Sequence, residues 1–342
     1  MVKRIAILGA GSWGTALAIV LAKAGHDVAL WARRPEAAAF MVEHRHNQYY
    51  LPGAHLPESL HVTSDIEAAA LDREVWVFAT PSQSVRDCAE RLQSIANENV
   101  LCVSVAKGIE NGTLLTTTQV LNQVLVHVPR VQLAIISGPS HAEEVVEEKP
   151  TTVVAAAYSS DVVHEIQSTF MTSRLRVYVN NDVLGVEIAG SVKNIMAIAA
   201  GISDGLGYGD NTKAAIVTRG LAEIKRLGMA MGAEPSTFNG LAGIGDLFVT
   251  AMSRHSRNRF LGEQIGRGMR LADIEKEMKM VAEGVRTTDS VQQLARKFRI
   301  EMPITRAIYE ILFEGKRPQI AVDELMTRSA KREDWLPDVL QE

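Results

Sequence analysis

A lysine and an asparagine stand in the middle of the most apolar stretch of the chain. From Val183 to Ile202 nearly every residue is apolar or small, and Lys193 and Asn194 interrupt the run. Such a stretch reads as a helix buried on most sides, too broken by polar groups to span a bilayer. An unpaired buried ammonium is costly, and the usual outcome is a lowered pKa. A lysine whose pKa falls from about 10.4 towards neutrality can trade protons at working pH. The plainer alternative is that Lys193 pairs with Glu187 or reaches water at a helix end.

The second constellation is at the N-terminus. Arg4-Ile5-Ala6-Ile7-Leu8 is a continuous apolar run, as in a strand buried on both faces. Gly9-Ala10-Gly11-Ser12-Trp13-Gly14 follows at once, then a helical stretch closed by Gly25. In this setting G-x-G-x-x-G reads as a dinucleotide-binding turn. Gly9 permits the tight turn, Gly11 the approach of a pyrophosphate, and Gly14 the close packing of helix on strand. The helix N-terminus offers free N–H groups to phosphates. The next strand, Asp27–Trp31, ends in Ala32-Arg33-Arg34 with no Asp or Glu to accept from a ribose. Two arginines there suit a 2′-phosphate. NADP(H) is the expected cofactor, with NAD(H) left open, as is the reading of both arginines as simply solvated.

Elements must bring these groups together. Further strands are predicted at 60–63, 75–79, 100–105, 152–157 and 175–179, with helical stretches between them. That alternation predicts an α/β fold of Rossmann type, with a doubly wound, mostly parallel sheet. Ligands bind beyond the carboxyl ends of such strands, where Lys107 and the run Ser137-Gly138-Pro139-Ser140 fall. Past Asp182 helical periodicity takes over, so an all-helical C-terminal domain is expected. We divide the chain into a dinucleotide-binding domain, 1–182, and a helical substrate domain, 183–342. Gly240–Asp246 is too glycine-rich for a helix interior and reads as a loop. Ser256, Arg257 and Asn258, within a basic, hydroxyl-rich segment, suit a phosphate; a solvated helix start is the alternative.

The whole chain bounds the remaining possibilities. Its 342 residues suffice for two domains, and 46% hydrophobic with 22% charged residues is ordinary for a globular protein. A net charge of −4 favours neither nucleic acid nor a membrane surface. Cys88 and Cys102 lack metal-ligand spacing and read as free core thiols of a reducing compartment. No metal site is expected. Nothing reads as a signal peptide or stable membrane insertion, so a cytoplasmic location is expected. His44 and His46 read as surface residues.

These residues together resemble the bacterial-type NAD(P)-dependent glycerol-3-phosphate dehydrogenases. The resemblance is carried by Gly9–Gly14, Lys107-Gly108-Ile109, Gly138-Pro139-Ser140-His141-Ala142, and the long run from Gly190-Ser191-Val192-Lys193-Asn194 to Gly209-Asp210-Asn211. The Gly240–Asp246 segment, Ser256-Arg257-Asn258 and Val281-Ala282-Glu283-Gly284 extend it across most of the chain. Ser191 is a departure, where Ala or Thr is expected; it leaves Lys193 undisturbed. The resemblance implies reversible reduction of dihydroxyacetone phosphate to sn-glycerol 3-phosphate, supplying glycerophospholipid synthesis, with Lys193 as proton donor and acceptor. It implies that Lys107, Gly138, Ser140, Asp246, Ser256, Arg257 and Asn258 hold substrate. It implies cofactor contacts from Ser12, Trp13, Arg33, Arg34, Lys107, Ala142, Arg257, Val281 and Glu283, and assembly as a homodimer. Two other readings stay open: a two-domain dehydrogenase of an unphosphorylated hydroxy acid, hydroxyacyl thioester or sugar acid, and a non-catalytic cofactor sensor.

Overall fold

The computed structural model describes residues 1–278, 282–330 and 332–333. Among the described residues ten strands form: β1 Arg4–Leu8, β2 Asp27–Trp31, β3 His46–Asn47, β4 Leu51–His55, β5 His61–Thr63, β6 Val75–Phe78, β7 Leu101–Ser104, β8 Leu133–Ser137, β9 Thr151–Ala157 and β10 Leu175–Asn180. Eight of them make one sheet in the order β10-β9-β8-β7-β6-β1-β2-β5. All its pairings are parallel except β8 with β9. The doubly wound, mostly parallel sheet expected from the strand pattern is therefore present.

The sheet is built by strands that are apolar on both faces, as burial under helices requires. β1 is the central case: Ile5, Ala6, Ile7 and Leu8 are wholly buried. It lies between β2 and β6, so the chain leaves it in opposite directions along the sheet. Such a switch point opens a crevice at the carboxyl edge, and the glycine-rich turn sits in it. Gly9 adopts φ +128°, a conformation that excludes side chains. Trp31, Phe78 and Ser104 end the neighbouring strands β2, β6 and β7 in the same register, so the segments that follow them reach the same edge.

The chain then enters a helical region. Asp182 caps the helix Val183–Gly205 by accepting from the Gly185 amide at 2.8 Å. The helix is long and apolar enough to cross a membrane by length and composition, yet 94% of that window is buried inside the protein. It is a core helix, packed on β8 and on five other α-helices. Its closest neighbour is the helix Arg257–Gly266. Glycines on both make the approach possible: a Cβ on Gly262 would stand 2.1 Å from the Ile198 carbonyl oxygen, and one on Gly201 1.9 Å from that of Arg259. An added methyl would force the helices apart, overpacking of a kind that costs about 1–3 kcal/mol. This contact sets the Arg257 helix terminus beside Lys193.

One expectation is corrected. The Gly240–Asp246 segment is no open loop: Leu241–Gly245 forms a π-helical turn, kinked at Gly243, that runs straight into the helix Asp246–Met252. The glycines serve close packing, since a Cβ on Gly243 would lie 2.0 Å from the Phe238 carbonyl oxygen. After His44 the chain forms the antiparallel hairpin β3–β4, which the strand pattern does not include.

Candidate active site

The carboxyl edge of the sheet and the core helix enclose one cavity of about 650 Å³. Lys193 lies at its inner end, 5% exposed. Its Nζ donates to Asp246 Oδ1 at 2.7 Å and to Thr250 Oγ1 at 2.5 Å. The pairing with Glu187 does not occur. Glu187 accepts instead from the hydroxyls of Thr116, Thr117 and Thr118 and from the Thr118 amide. Burial lowers the Lys193 pKa to about 8; Asp246 pulls it back up and Lys107 pushes it further down. The ammonium and amine forms are therefore both accessible near neutral pH.

Asp246 is shared by two lysines. Its Oδ2 accepts from Lys107 Nζ at 2.7 Å, and Lys107 also donates to the Gly138 carbonyl at 2.9 Å. Burial pushes the Asp246 carboxyl up, but the two ammonium groups outweigh it and hold it below the usual carboxylate range. Lys107 comes from the segment after β7, Lys193 from the core helix, and Asp246 from the start of its own helix. Asn194 closes the group: its Nδ2 donates to the Lys107 carbonyl at 3.2 Å, and its Oδ1 accepts from Asn258 Nδ2 at 3.0 Å.

The segment expected to take a phosphate is narrower than its basic run. Ser256 caps the Arg257–Gly266 helix by accepting from the Arg259 amide at 3.2 Å. Arg259 turns away to Asp204 at 2.6 Å. Ser256, Arg257 and Asn258 line the cavity with Ser140, whose Oγ donates to the Gly138 carbonyl. Asn258 is largely occupied with protein partners, since its Oδ1 accepts from the Gly284 amide at 2.9 Å. Arg257 is the first residue of its helix and lines the cavity.

The outer end of the cavity is lined by Gly9, Gly11, Ser12, Trp13, Arg33 and Arg34. No atom lies within 4 Å of where a Cβ on Gly11 would sit, so its backbone is open to a ligand. Gly14 is used internally, its Cβ position lying 2.0 Å from the Gly9 carbonyl oxygen. Glu283 reaches across from the helical region and accepts from Ser82 Oγ at 2.6 Å and from its amide at 3.0 Å. Burial raises the Glu283 pKa against the pull of those bonds and of Arg257. Ser140 and His141 line the wall, whereas Gly138 and Ala142 do not. Val281 lies outside the described residues. No group of three His, Cys, Asp or Glu among the described residues could hold a metal ion. Cys88 and Cys102 are free thiols, and burial pushes Cys88 up to about 12.

The residues that line this cavity come from both ends of the chain, and so do the matches to known proteins. The sequence profile of the NAD-dependent glycerol-3-phosphate dehydrogenase N-terminus covers residues 4–163, and that of the C-terminus residues 182–323. The chain belongs to this family. It is 61% identical over 337 residues to glycerol-3-phosphate dehydrogenase (NAD(P)+) 2 of Salinibacter ruber, covering 98% of each chain. It is 53% identical over 329 residues to glycerol-3-phosphate dehydrogenase (NAD(P)+) of Chlorobium luteolum, covering 96% of this chain and 99% of the relative. The crystal structure of glycerol-3-phosphate dehydrogenase from Coxiella burnetii superposes with a TM-score of 0.92 at 40% identity, over 96% of this chain and 99% of that one.

Two residues of the site went unread in the sequence. Thr250 follows Asp246 by one helical turn and donates to its carbonyl at 2.6 Å while accepting from Lys193. The i to i+4 spacing was legible, but its relevance depended on knowing that Asp246 starts a helix. Asn47, 3% exposed, donates to the Ala10 carbonyl and to Thr15 Oγ1, both at 2.9 Å. Nothing local in the sequence marks it.

Proposed function

We propose that this member of the family uses Lys193 to reduce dihydroxyacetone phosphate to sn-glycerol 3-phosphate, reversibly, with NADP(H) or NAD(H). The observation that carries this reading is one cavity with two chemistries. A dinucleotide-binding turn and two arginines stand at one end; a buried lysine of lowered pKa and Arg257 stand at the other.

The residues fit the cofactor. Gly11, Ser12, Trp13 and the N-terminus of the helix that follows would hold the pyrophosphate, Arg33 and Arg34 the adenosine end, and Glu283 with Ser82 the opposite wall. When bound, the dinucleotide supplies or accepts the hydride at C4 of its nicotinamide. The protein does the rest. Arg257 binds the phosphate, remote from the reacting carbon, so its binding energy can orient the ketone. Lys193 Nζ gives a proton to the ketone oxygen as charge develops there, and takes it back in the reverse direction. Asp246 keeps Lys193 charged enough to donate, and Thr250 and Lys107 fix the pair. The product supplies glycerophospholipid synthesis.

The same reading divides the chain at residue 182 and includes a homodimer and a cytoplasmic location, consistent with two buried free thiols. Purified protein should consume NADPH or NADH on addition of dihydroxyacetone phosphate and far less on addition of unphosphorylated dihydroxyacetone. Turnover of hydroxy or keto acids with none of dihydroxyacetone phosphate would overturn it.

A further inference from the structure

The cavity's outer end holds an arrangement that the G-x-G-x-x-G motif and the two arginines do not explain. The turn between β3 and β4 presents two consecutive tyrosines. The Arg34 guanidinium lies over the Tyr49 ring at 5.1 Å from its centre and over the Tyr50 ring at 6.0 Å. Both distances are within the range of cation–π attraction. The turn is fixed to the dinucleotide-binding turn and its helix by three bonds: Asn47 donates to the Ala10 carbonyl and to Thr15 Oγ1, and Ser12 Oγ donates to the Tyr50 carbonyl at 2.6 Å. Within the hairpin, the Tyr50 amide donates to Asn47 Oδ1 at 3.2 Å. The rings are thus located relative to the backbone expected to meet the pyrophosphate, and they locate Arg34 in turn. Arg34 and Tyr50 line the cavity; Tyr49 does not. The other nearby restraint on Arg34 is loose, a 3.9 Å approach to Glu36.

We propose that Tyr49 is a positioning residue for cofactor choice: its ring holds the Arg34 guanidinium ready for a phosphate on the 2′ position of the adenosine ribose. A long arginine side chain at a strand end loses rotamer freedom when it binds. Holding it beforehand against a ring removes part of that loss. The effect belongs to the 2′-phosphate, because β2 ends without a carboxylate to bind a bare ribose. The inference rests on the assignment of the cavity's outer end to a dinucleotide, not on the identity of the reduced substrate.

The test is calorimetric binding of 2′,5′-ADP and 5′-AMP to the whole protein, with no ketone present. Tyr49 is exposed on a turn, so its replacement leaves the core intact. Tyr49→Ala should weaken 2′,5′-ADP about two- to fivefold, the worth of an exposed cation–π contact, and change 5′-AMP by less than its error. Tyr49→Phe, which keeps the ring face, should bind as wild type does. In an Arg34→Ala background the Tyr49→Ala effect should vanish, since a coupling through Arg34 has nothing left to act on. Equal loss for both nucleotides, no loss for either, or an effect that survives Arg34→Ala would each overturn the proposal. Turnover of dihydroxyacetone phosphate is assayed separately, so failure of that activity and failure of this inference are distinguishable.

Discussion

Replacing Asp246 by Asn removes the anion that Lys107 and Lys193 share while keeping the size of the side chain. The wild-type Lys193 pKa of about 8 is a balance in which burial, Lys107 and Arg257 push down and Asp246 pushes up. Without the carboxylate every remaining influence lowers it. Breaking a buried ion pair by removing one partner costs about 3–5 kcal/mol. One pKa unit corresponds to about 1.4 kcal/mol, so less than half of that cost lowers the pKa by about a unit. Ketone reduction needs the ammonium form. Wild-type kcat/KM for dihydroxyacetone phosphate is therefore expected to be full below about pH 8 and lost as pH rises through it. In Asp246→Asn the limb should move at least a unit to lower pH, and glycerol 3-phosphate oxidation, which needs the amine, should begin at correspondingly lower pH. The assay is a pH series of initial rates in both directions at saturating cofactor, with cofactor binding as the check on folding. A variant that binds cofactor and keeps the wild-type profile would refute the role given to Asp246.

Two further predictions address the phosphate and the helical region. Arg257→Leu should lower kcat/KM for dihydroxyacetone phosphate sharply and that for unphosphorylated dihydroxyacetone little; an unchanged ratio at saturating cofactor would pass phosphate recognition to Lys107. Glu223, 2% exposed, accepts from the Ile304 and Thr305 amides and the Thr305 hydroxyl at the start of the helix Pro303–Phe313. Burial pushes its pKa up to about 7. The folded state then binds the proton more tightly than the unfolded chain, so this contribution to stability is full below about 4.5 and is lost as pH rises through about 7. Glu223→Gln should flatten that slope in thermal unfolding between pH 5 and pH 8; matching slopes would count against it.

What the sequence disclosed and what it hid divide by distance along the chain. The turn at Gly9–Gly14 was legible because its chemistry is local: strand, turn and helix N-terminus are adjacent residues. Lys193 was legible because a charge inside an apolar helix demands an explanation wherever its partner lies. The partner itself was ambiguous. Glu187, earlier on the same helix, looked available, yet it is consumed by Thr116, Thr117 and Thr118 at a separation of about seventy residues. Asn47 and Glu223 likewise act over long separations, and no spacing rule foretells such contacts. The Gly240–Asp246 segment misled because glycine marks both flexible backbone and close packing; only the position of Phe238 shows that packing decides here. The hairpin carrying Tyr49 and Tyr50 was hidden by its short strands, the second of which contains Pro52 and Gly53.

The central claim is that Lys193 handles the proton in ketone reduction, and Lys193→Ala tests it most directly. With NADPH and dihydroxyacetone phosphate saturating, kcat should fall by roughly 10²–10⁴, the span of general acid catalysis. NADPH titrated into the same variant should bind nearly as it does to wild type, since Lys193 stands at the far end of the cavity from Arg33 and Arg34. A Lys193→Ala protein that reduces dihydroxyacetone phosphate at close to the wild-type rate would contradict the account.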